Sequence, residues 1–563
     1  MFSQRLNPLG LIKRITVMSC RPLTYESFLK YTCENEPVLD YLAGSEERKN
    51  LEAALKKYEG VTEVPICIGD EEIKTSDIRH QVAPFDHQRK VAKFHYATPA
   101  IVQKGIDSCM SARKDWEATP IEKRAEIFLK AADLIAGKYR GEILATTMLG
   151  QGKTIVQAEI DAAPELIDFL RFNVMFAAKN LTYTPISTER YIDTLRYRGM
   201  EGFWAAVSPF NFTAIGGNLS GTPALMGNVV MWKPSDTAVL SNYLVYRIYR
   251  EAGLPPGVIN FVTADGPVFG NAVTASPDLC GVNFTGSVKT FQHLWKQVGM
   301  NLEKYKTYPR LIGECGGKNY HFVHKSADTE SVINGTIKSG FEFGGQKCSA
   351  CSRIYVPESK WAEVKDGLIA RHKQIKLGSP LEQDSYLSAV IDDKAFGRIK
   401  SYIDHAKTAP DLTVIAGGKY DDSKGYYVEP TIVESKNPRE KIMQEEIFGP
   451  VVTAYVYPDN EWREILDVIN TTSPYGLTGS VYAQDEGVVN EAVESLKQTA
   501  GNFYINDQST GSVVGQQPFG GARLSGTNDK AGGPHYVLKF CSPQSIKRTV
   551  VPVTEWKYPY MSS

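Results

Sequence analysis

The chain has 563 residues, too many for one simple core, so two or more large domains are expected. Hydrophobic residues make up 42% and charged residues 23%, the balance of an ordinary water-soluble fold, and 63 basic against 64 acidic residues leave no basic footprint for nucleic acid. No apolar run approaches the roughly 18 residues of a membrane span, and nine cysteines are too sparse for a disulfide framework, which points to a reducing compartment.

In chain order, the first 25 residues come apart from the rest. They carry Arg5, Lys13, Arg14 and Arg21 and no acid, with Phe2, Leu6, Leu9, Ile12 and Ile15 at helical spacing. That is the pattern of a mitochondrial transit peptide, a frayed basic terminus being the alternative, so the mitochondrial matrix is the expected location. Residues 120–139 read as an amphipathic helix, with Pro120 in its first turn and Ala125, Phe128, Leu129, Ala132 and Ile135 on one face. Residues 181–199 place Tyr183, Ile192, Leu195 and Tyr197 among threonines and charges, which predicts a β-hairpin or ribbon. Strands are expected at 203–207, 229–232, 259–262 and 282–284, with a helix over 236–252 stopped by Gly253 and Pro255. Alternation of strand and helix implies a largely parallel sheet, whose ligands bind beyond the carboxyl ends of its strands. Ser208, Asn211, Lys233 and Ser287 fall there. From about residue 312 the α/β texture recurs around Gly-rich turns, and 535–560 reads as strand or arm.

Gly150-Gln-Gly152-Lys153-Thr154 ends like a phosphate-binding loop, but that motif needs a glycine where Thr147 stands, and the preceding segment reads as helix. No G-x-G-x-x-G follows any expected strand. Cys348 and Cys351 have C-x-x-C spacing, yet no second ligand pair follows, so no metal is expected.

Six blocks carry chemistry. In Phe343-Gly-Gly-Gln-Lys-Cys348-Ser-Ala, a thiol beside glycines and a lysine can be exposed and held partly as thiolate, although a single cysteine is more often a buried free thiol. Leu311-Ile-Gly-Glu314-Cys-Gly-Gly-Lys-Asn delivers a carboxylate into a Gly-rich turn, and taken alone it reads as a solvated surface acid. A thiolate that attacks and a carboxylate that later activates water make up a thioester mechanism. In Ser208-Pro-Phe-Asn211-Phe212 the asparagine amide can donate to a developing oxyanion. The remaining blocks are Glu446-Ile-Phe-Gly-Pro, Phe284-Thr-Gly-Ser287, and Pro518-Phe-Gly-Gly followed by Ser525-Gly-Thr-Asn.

In this order, from about residue 90 to 540, these blocks and Lys233-Pro-Ser closely resemble the aldehyde dehydrogenase superfamily. The resemblance implies Cys348 as nucleophile, Glu314 as general base, and Asn211 with the Cys348 N–H as oxyanion hole. It implies an NAD site built from Ser208, Lys233, Asp236, Gly286, Ser287, Val288, Lys289, Thr290 and Glu446. Asp236 stands where many relatives have a glutamate beside the adenosine ribose, and an acid there should repel a 2′-phosphate, favouring NAD over NADP. The implied fold is α/β: a Rossmann-type NAD-binding domain (26–180 and 200–311), an α/β catalytic domain (312–534), and a β-flap with a C-terminal arm for oligomerisation (181–199 and 535–563). A lone ribbon is marginal in water, so copies of the same chain, a homodimer first, are expected partners beside a small-molecule substrate, with no nucleic acid and no membrane.

Stretches 345–353, 509–523 and 525–534 resemble one branch of that family, whose substrate is L-glutamate γ-semialdehyde. By this resemblance Gly511 and Ser512 anchor its carboxylate, Ser349 lies beside the nucleophile, Phe212 and Phe519 pack on the aliphatic stem, and Glu165 faces the amine, an exposed helical glutamate being the plainer reading of that residue. The implied activity is NAD-dependent oxidation of the semialdehyde to glutamate, in proline degradation. The alternatives are oxidation of another ω-semialdehyde and a catalytically silent NAD-binding protein.

Overall fold

The computed structural model describes residues 23–561. The basic segment read as a transit peptide lies outside these residues, apart from its last three.

Two seven-stranded sheets organise the chain. The first runs in the order Arg310–Glu314, Leu279–Thr285, Phe203–Val207, Val229–Lys233, Ile259–Phe261, Ile66–Ile68, Glu71–Ile73. The first five strands are mutually parallel, and the last two add antiparallel at the edge. Parallel strands covered on both faces read as continuous apolar runs, and in Phe203–Val207 every residue before Val207 is buried, including Trp204. The second sheet runs Leu412–Ala416, Thr431–Ser435, Val451–Tyr457, Cys351–Pro357, Asn319–Val323, Thr478–Tyr482, Asn502–Ile505, parallel except for its first strand.

The helix expected over 120–139 spans Ile121–Ala136, and its five apolar positions are buried. Pro120 sits just outside as the N-cap rather than in the first turn, with extended backbone (ψ 142°). The helix expected at 236 begins with a short 3₁₀ turn, Asp236–Ala238, and continues as Val239–Ala252 to a left-handed Gly253 (φ 111°).

Three expectations are corrected. No local hairpin forms within 181–199. The strand Tyr191–Arg198 pairs antiparallel with Ser542–Thr549, the ribbon alternative, joining the two segments expected to form the flap, because the residues before it form no strand of their own. The region from 535 is not all arm. Helix Pro534–Leu538 and the residues after it enter the first core, where Phe540 packs edge-on against Trp204 (4.7 Å) and the Tyr536 hydroxyl meets Asn283. A boundary at 311 would cut a strand, since Arg310–Glu314 hydrogen-bonds to Leu279–Thr285, so the first sheet extends to Glu314. A three-stranded sheet of Thr62–Val64, Asp86–His95 and Ile78–Ala83 is present that the sequence pattern did not announce.

Candidate active site

The junction of the two sheets is where the sequence blocks converge. Strand Arg310–Glu314 ends the first sheet with Glu314 at its carboxyl end, and Asn319–Val323 opens the second. Between them, Gly316 lies under the Glu446 carboxylate. A Cβ there would fall 1.6 Å from Glu446 Oε1, so only glycine fits. The Glu446 Oε1 accepts from the Gly317 N–H (3.0 Å), and burial raises this carboxyl to about 7. The Ser525-Gly-Thr block extends the Glu314 strand. Cys315 N donates to Ser525 O (2.8 Å) and Thr527 N to Gly313 O (2.9 Å), with Gly526 at φ 147° pressed on the Gly313 carbonyl.

Cys348 lies in a turn after helix Thr329–Phe341. Phe343, Gly344 and Gly345 reverse the chain with φ of 51°, 61° and 65°, and a side chain on Gly345 would meet the Gly449 carbonyl at 2.3 Å. Buried amides then fix the loop. Asn319 Nδ2 donates to the carbonyls of Cys348 (2.7 Å) and Ala350 (2.8 Å). Asn211, 3% exposed, donates from Nδ2 to Gln346 O (3.0 Å), and the Ile391 N–H donates to Gln346 Oε1 (2.8 Å). A carboxamide has two N–H groups, so one at Asn211 stays available while the other holds the nucleophile loop.

Burial, and after it the carboxylates of Glu314, Glu446 and Glu165, push the Cys348 thiol up to about 12, against the backbone N–H of Ser349. The sequence reading had Lys347 helping to hold a thiolate. That is corrected: Lys347 Nζ pairs with Glu342 (2.7 Å) and lies 3.7 Å from Asp161. Glu314 accepts at Oε2 from the Gly521 N–H (3.3 Å), while its buried Oε1 has no hydrogen-bond partner among the described residues, and burial holds its carboxyl well above the usual range. A carboxyl so placed can take a proton near neutral pH.

Around the thiol, Ser349 Oγ meets Thr510 Oγ1 (2.6 Å). The Phe212 ring lies 4.2 Å from Lys153 Nζ, which is buried between it and Phe343 (4.1 Å) and paired with Asp161. The Gly-Lys-Thr segment that imitates a phosphate loop thus follows helix Arg140–Gln151 and serves as a buried charge. Glu165 is not on a solvated face. It is half-buried near Asp161, Lys153 and Lys347, and burial raises its carboxyl well above the usual range. Gly511 (φ 89°) and Ser512 lie on an outer loop, where Ser512 Oγ donates to Gln517 O (2.6 Å). Phe519 bridges to Ala531.

On the first sheet, Ser208 N donates to Lys233 O (3.1 Å), and the Trp232 indole N–H donates to Ser208 Oγ (3.0 Å). Lys233 Nζ lies 3.8 Å from Asp236 Oδ1, a buried oxygen with no hydrogen-bond partner among the described residues, while Tyr96 OH donates to Asp236 Oδ2. Ser287 caps helix Val288–Met300, accepting from Thr290 N (3.2 Å), and Ser287, Lys289 and Thr290 are exposed. A dinucleotide fits this surface: a helix start welcomes a phosphate, and the orphaned Asp236 oxygen beside Lys233 suits a ribose hydroxyl. Sequence reasoning missed Asn319, Gln346 and Thr510. The polar residue closing the Glu314 block was the available signal for the first.

Residues 73–546 match the aldehyde dehydrogenase family. The chain is 61% identical over 529 residues to the mitochondrial delta-1-pyrroline-5-carboxylate dehydrogenase of Homo sapiens, covering 94% of each chain. It is 60% identical over 546 residues to that of Danio rerio, covering 96% of this chain and 98% of the relative. Among solved structures, the NAD-bound delta-pyrroline-5-carboxylate dehydrogenase of Mycobacterium tuberculosis superposes with a TM-score of 0.91 at 45% identity, covering 94% of this chain and 98% of that one.

Proposed function

The chain belongs to the aldehyde dehydrogenase family, and from that premise we propose that it oxidises L-glutamate γ-semialdehyde, the open form of Δ1-pyrroline-5-carboxylate, to L-glutamate with NAD. It is an NAD-dependent oxidoreductase of proline breakdown and a mitochondrial protein, as its curated vertebrate relatives are. The observation that carries this reading is one thiol, Cys348, set among half-buried carboxylates with an asparagine amide holding its loop.

In the assignment of roles, water opens the cyclic imine without the enzyme. The Cys348 thiolate adds to the aldehyde carbon, and the free N–H of Asn211 and the Cys348 backbone N–H hold the oxyanion. NAD, when bound, supplies the hydride acceptor. Lys233, Asp236 and Glu446 would hold its ribose hydroxyls, with Ser208 near the nicotinamide and Gly286, Ser287, Val288, Lys289 and Thr290 at the pyrophosphate. The residue left on Cys348 is a thioester. Glu314 takes a proton from water, the hydroxyl attacks the thioester carbon, and glutamate leaves as the thiol is restored. Gly511 and Ser512 hold the substrate carboxylate, Phe212 and Phe519 flank its stem, Ser349 lies beside the nucleophile and Glu165 faces the amine.

Most cofactor groups stand on the first sheet and the nucleophile on the second, while Glu314 and Asn211 reach the thiol from the carboxyl ends of first-sheet strands and Glu446 comes from the second-sheet side. The ribbon of Tyr191–Arg198 and Ser542–Thr549 is the oligomerisation flap of a homodimer, and a purely monomeric species in solution would contradict that role. NADH formation from pyrroline-5-carboxylate, beside succinic semialdehyde and simple aldehydes, tests the substrate. The wild-type chain is expected to prefer pyrroline-5-carboxylate and Cys348→Ala to form no NADH. Preference for another semialdehyde would discard the proline-pathway reading and keep the chemistry.

A further inference from the structure

Residues 31–40 form no regular structure, yet they are tied down by partly buried ion pairs and hydrogen bonds. Glu36 pairs with Arg140 and with Arg171, each at 2.6 Å, and the Glu36 N–H donates to Asp168 Oδ1 (2.7 Å). The Leu39 N–H donates to Glu159 Oε1 (3.0 Å), and Tyr41 OH donates to Glu159 Oε2 (2.7 Å). Charged side chains are buried only where they are paired, so this stretch is a fixed strap across helix Pro164–Leu181.

In the middle of the strap stands Asn35, with both N–H groups and the oxygen of its carboxamide engaged. One N–H donates to Asp168 Oδ2 (2.7 Å) and the other to the Val514 carbonyl (2.8 Å), while Oδ1 accepts from Gln516 Nε2 (2.9 Å). Val514 and Gln516 belong to the 509–517 loop. That loop is otherwise held by its own turn and by the body it rests on. Gln516 N and Gln517 N donate to Val513 O (each 3.0 Å), Val513 N donates to Gln517 Oε1 (3.0 Å), and Gly515 N donates to Gly532 O (3.1 Å). Gly515 lies so close to Phe172 that a Cβ would come within 2.2 Å. Ser512 Oγ, which donates to Gln517 O, takes its orientation from the shape of this turn.

We propose that Asn35, on the amino-terminal strap, is a positioning residue that fixes the 509–517 loop in the shape that receives the substrate carboxylate. It touches no substrate. It transfers the rigidity of the Glu36, Arg140 and Arg171 ion pairs to the outer part of a loop whose first residues, Ser509 and Thr510, are held by His321 and Ser349. The proposal rests on the reading that Gly511 and Ser512 bind the carboxylate. Selectivity of this chain for a carboxylated semialdehyde is thereby set partly by a residue far away in sequence.

The test compares kcat/KM for pyrroline-5-carboxylate with kcat/KM for 4-aminobutanal, the same molecule without its carboxylate, in the full chain with NAD. Asn35→Ala is expected to lower that ratio about tenfold, mainly through KM for pyrroline-5-carboxylate, the effect of losing one well-placed hydrogen bond. The exchange Asn35→Asp with Asp168→Asn re-forms the strap's link to the helix but leaves the Val514 carbonyl without its donor, and it is expected to show the same loss. A wild-type ratio in the exchange variant, or equal losses on both substrates in Asn35→Ala, would overturn the proposal. Ser512→Ala, run beside them, examines the reading beneath it. A wild-type ratio there removes the loop from carboxylate recognition, whereas a lowered ratio with both Asn35 variants unaffected removes only Asn35.

Discussion

The loop that carries Cys348 and the loop that carries Ser512 touch at Ser349 and Thr510, and they are built in opposite ways. Around Cys348, Gln346, Lys347, Ser349 and Ala350 are buried; Asn211 and Asn319 donate to the loop's backbone carbonyls, and the Ile391 N–H holds the Gln346 side chain. In the second loop Ser509 and Thr510 are buried and anchored to His321 and Ser349, but Gly511, Gly515, Gln516 and Gln517 are exposed, and that outer turn holds itself together with help from Asn35 and Gly532. The buried frame cannot change without disturbing the nucleophile. The exposed loop can change its shape and leave the nucleophile where it is. Bond-making chemistry and substrate choice therefore sit on neighbouring segments with different mechanical support.

Substitutions in the two loops should separate accordingly. The largest expected effect is in the buried frame. Asn211→Ala removes an oxyanion donor and a donor to Gln346 O, and kcat should fall about 10²–10³-fold with the fold retained by circular dichroism. Near-normal kcat would remove Asn211 from the oxyanion hole. In the outer loop, Ser512→Ala should leave kcat close to normal and raise KM for pyrroline-5-carboxylate about tenfold. A loss in kcat instead would mean that the two loops are not separable.

A smaller effect concerns the thiol itself. Burial is the main cause of its shift to about 12, and the Glu314 carboxylate comes second. A nearby negative charge disfavours thiolate, so Glu314→Gln should lower the thiol's pKa and speed alkylation of Cys348 at fixed alkaline pH in cofactor-free protein. Since burial remains, the gain should be modest. Slower alkylation would place Glu314 in a stabilising role toward the thiolate.

Much of the first sheet was legible because fully buried parallel strands are short apolar runs ending in polar residues, as at Val207-Ser208 and Trp232-Lys233. Cys348, Glu314 and Asn211 were legible because each sits in a glycine- or proline-marked turn. What the sequence hid is pairing between distant segments. The resemblance grouped 181–199 with the C-terminal arm, but nothing in either segment announces the register that pairs Tyr191 with Thr549 and Arg198 with Ser542. Lys347 beside Cys348 looked like a thiolate partner, yet its cation turns to Glu342 and Asp161, since a buried ammonium seeks the nearest carboxylates. Asn35 and Asn319 are ordinary polar residues in one dimension and become structural posts only once the chain is folded.

The most direct test of the account is to mix the Glu314→Gln variant with NAD and pyrroline-5-carboxylate, quench in acid, and map the modified peptide by mass spectrometry. The account predicts one turnover's worth of NADH and a glutamyl thioester trapped on Cys348, because oxidation proceeds and release does not. Unmodified Cys348 with sustained NADH formation would contradict the assignment of both residues.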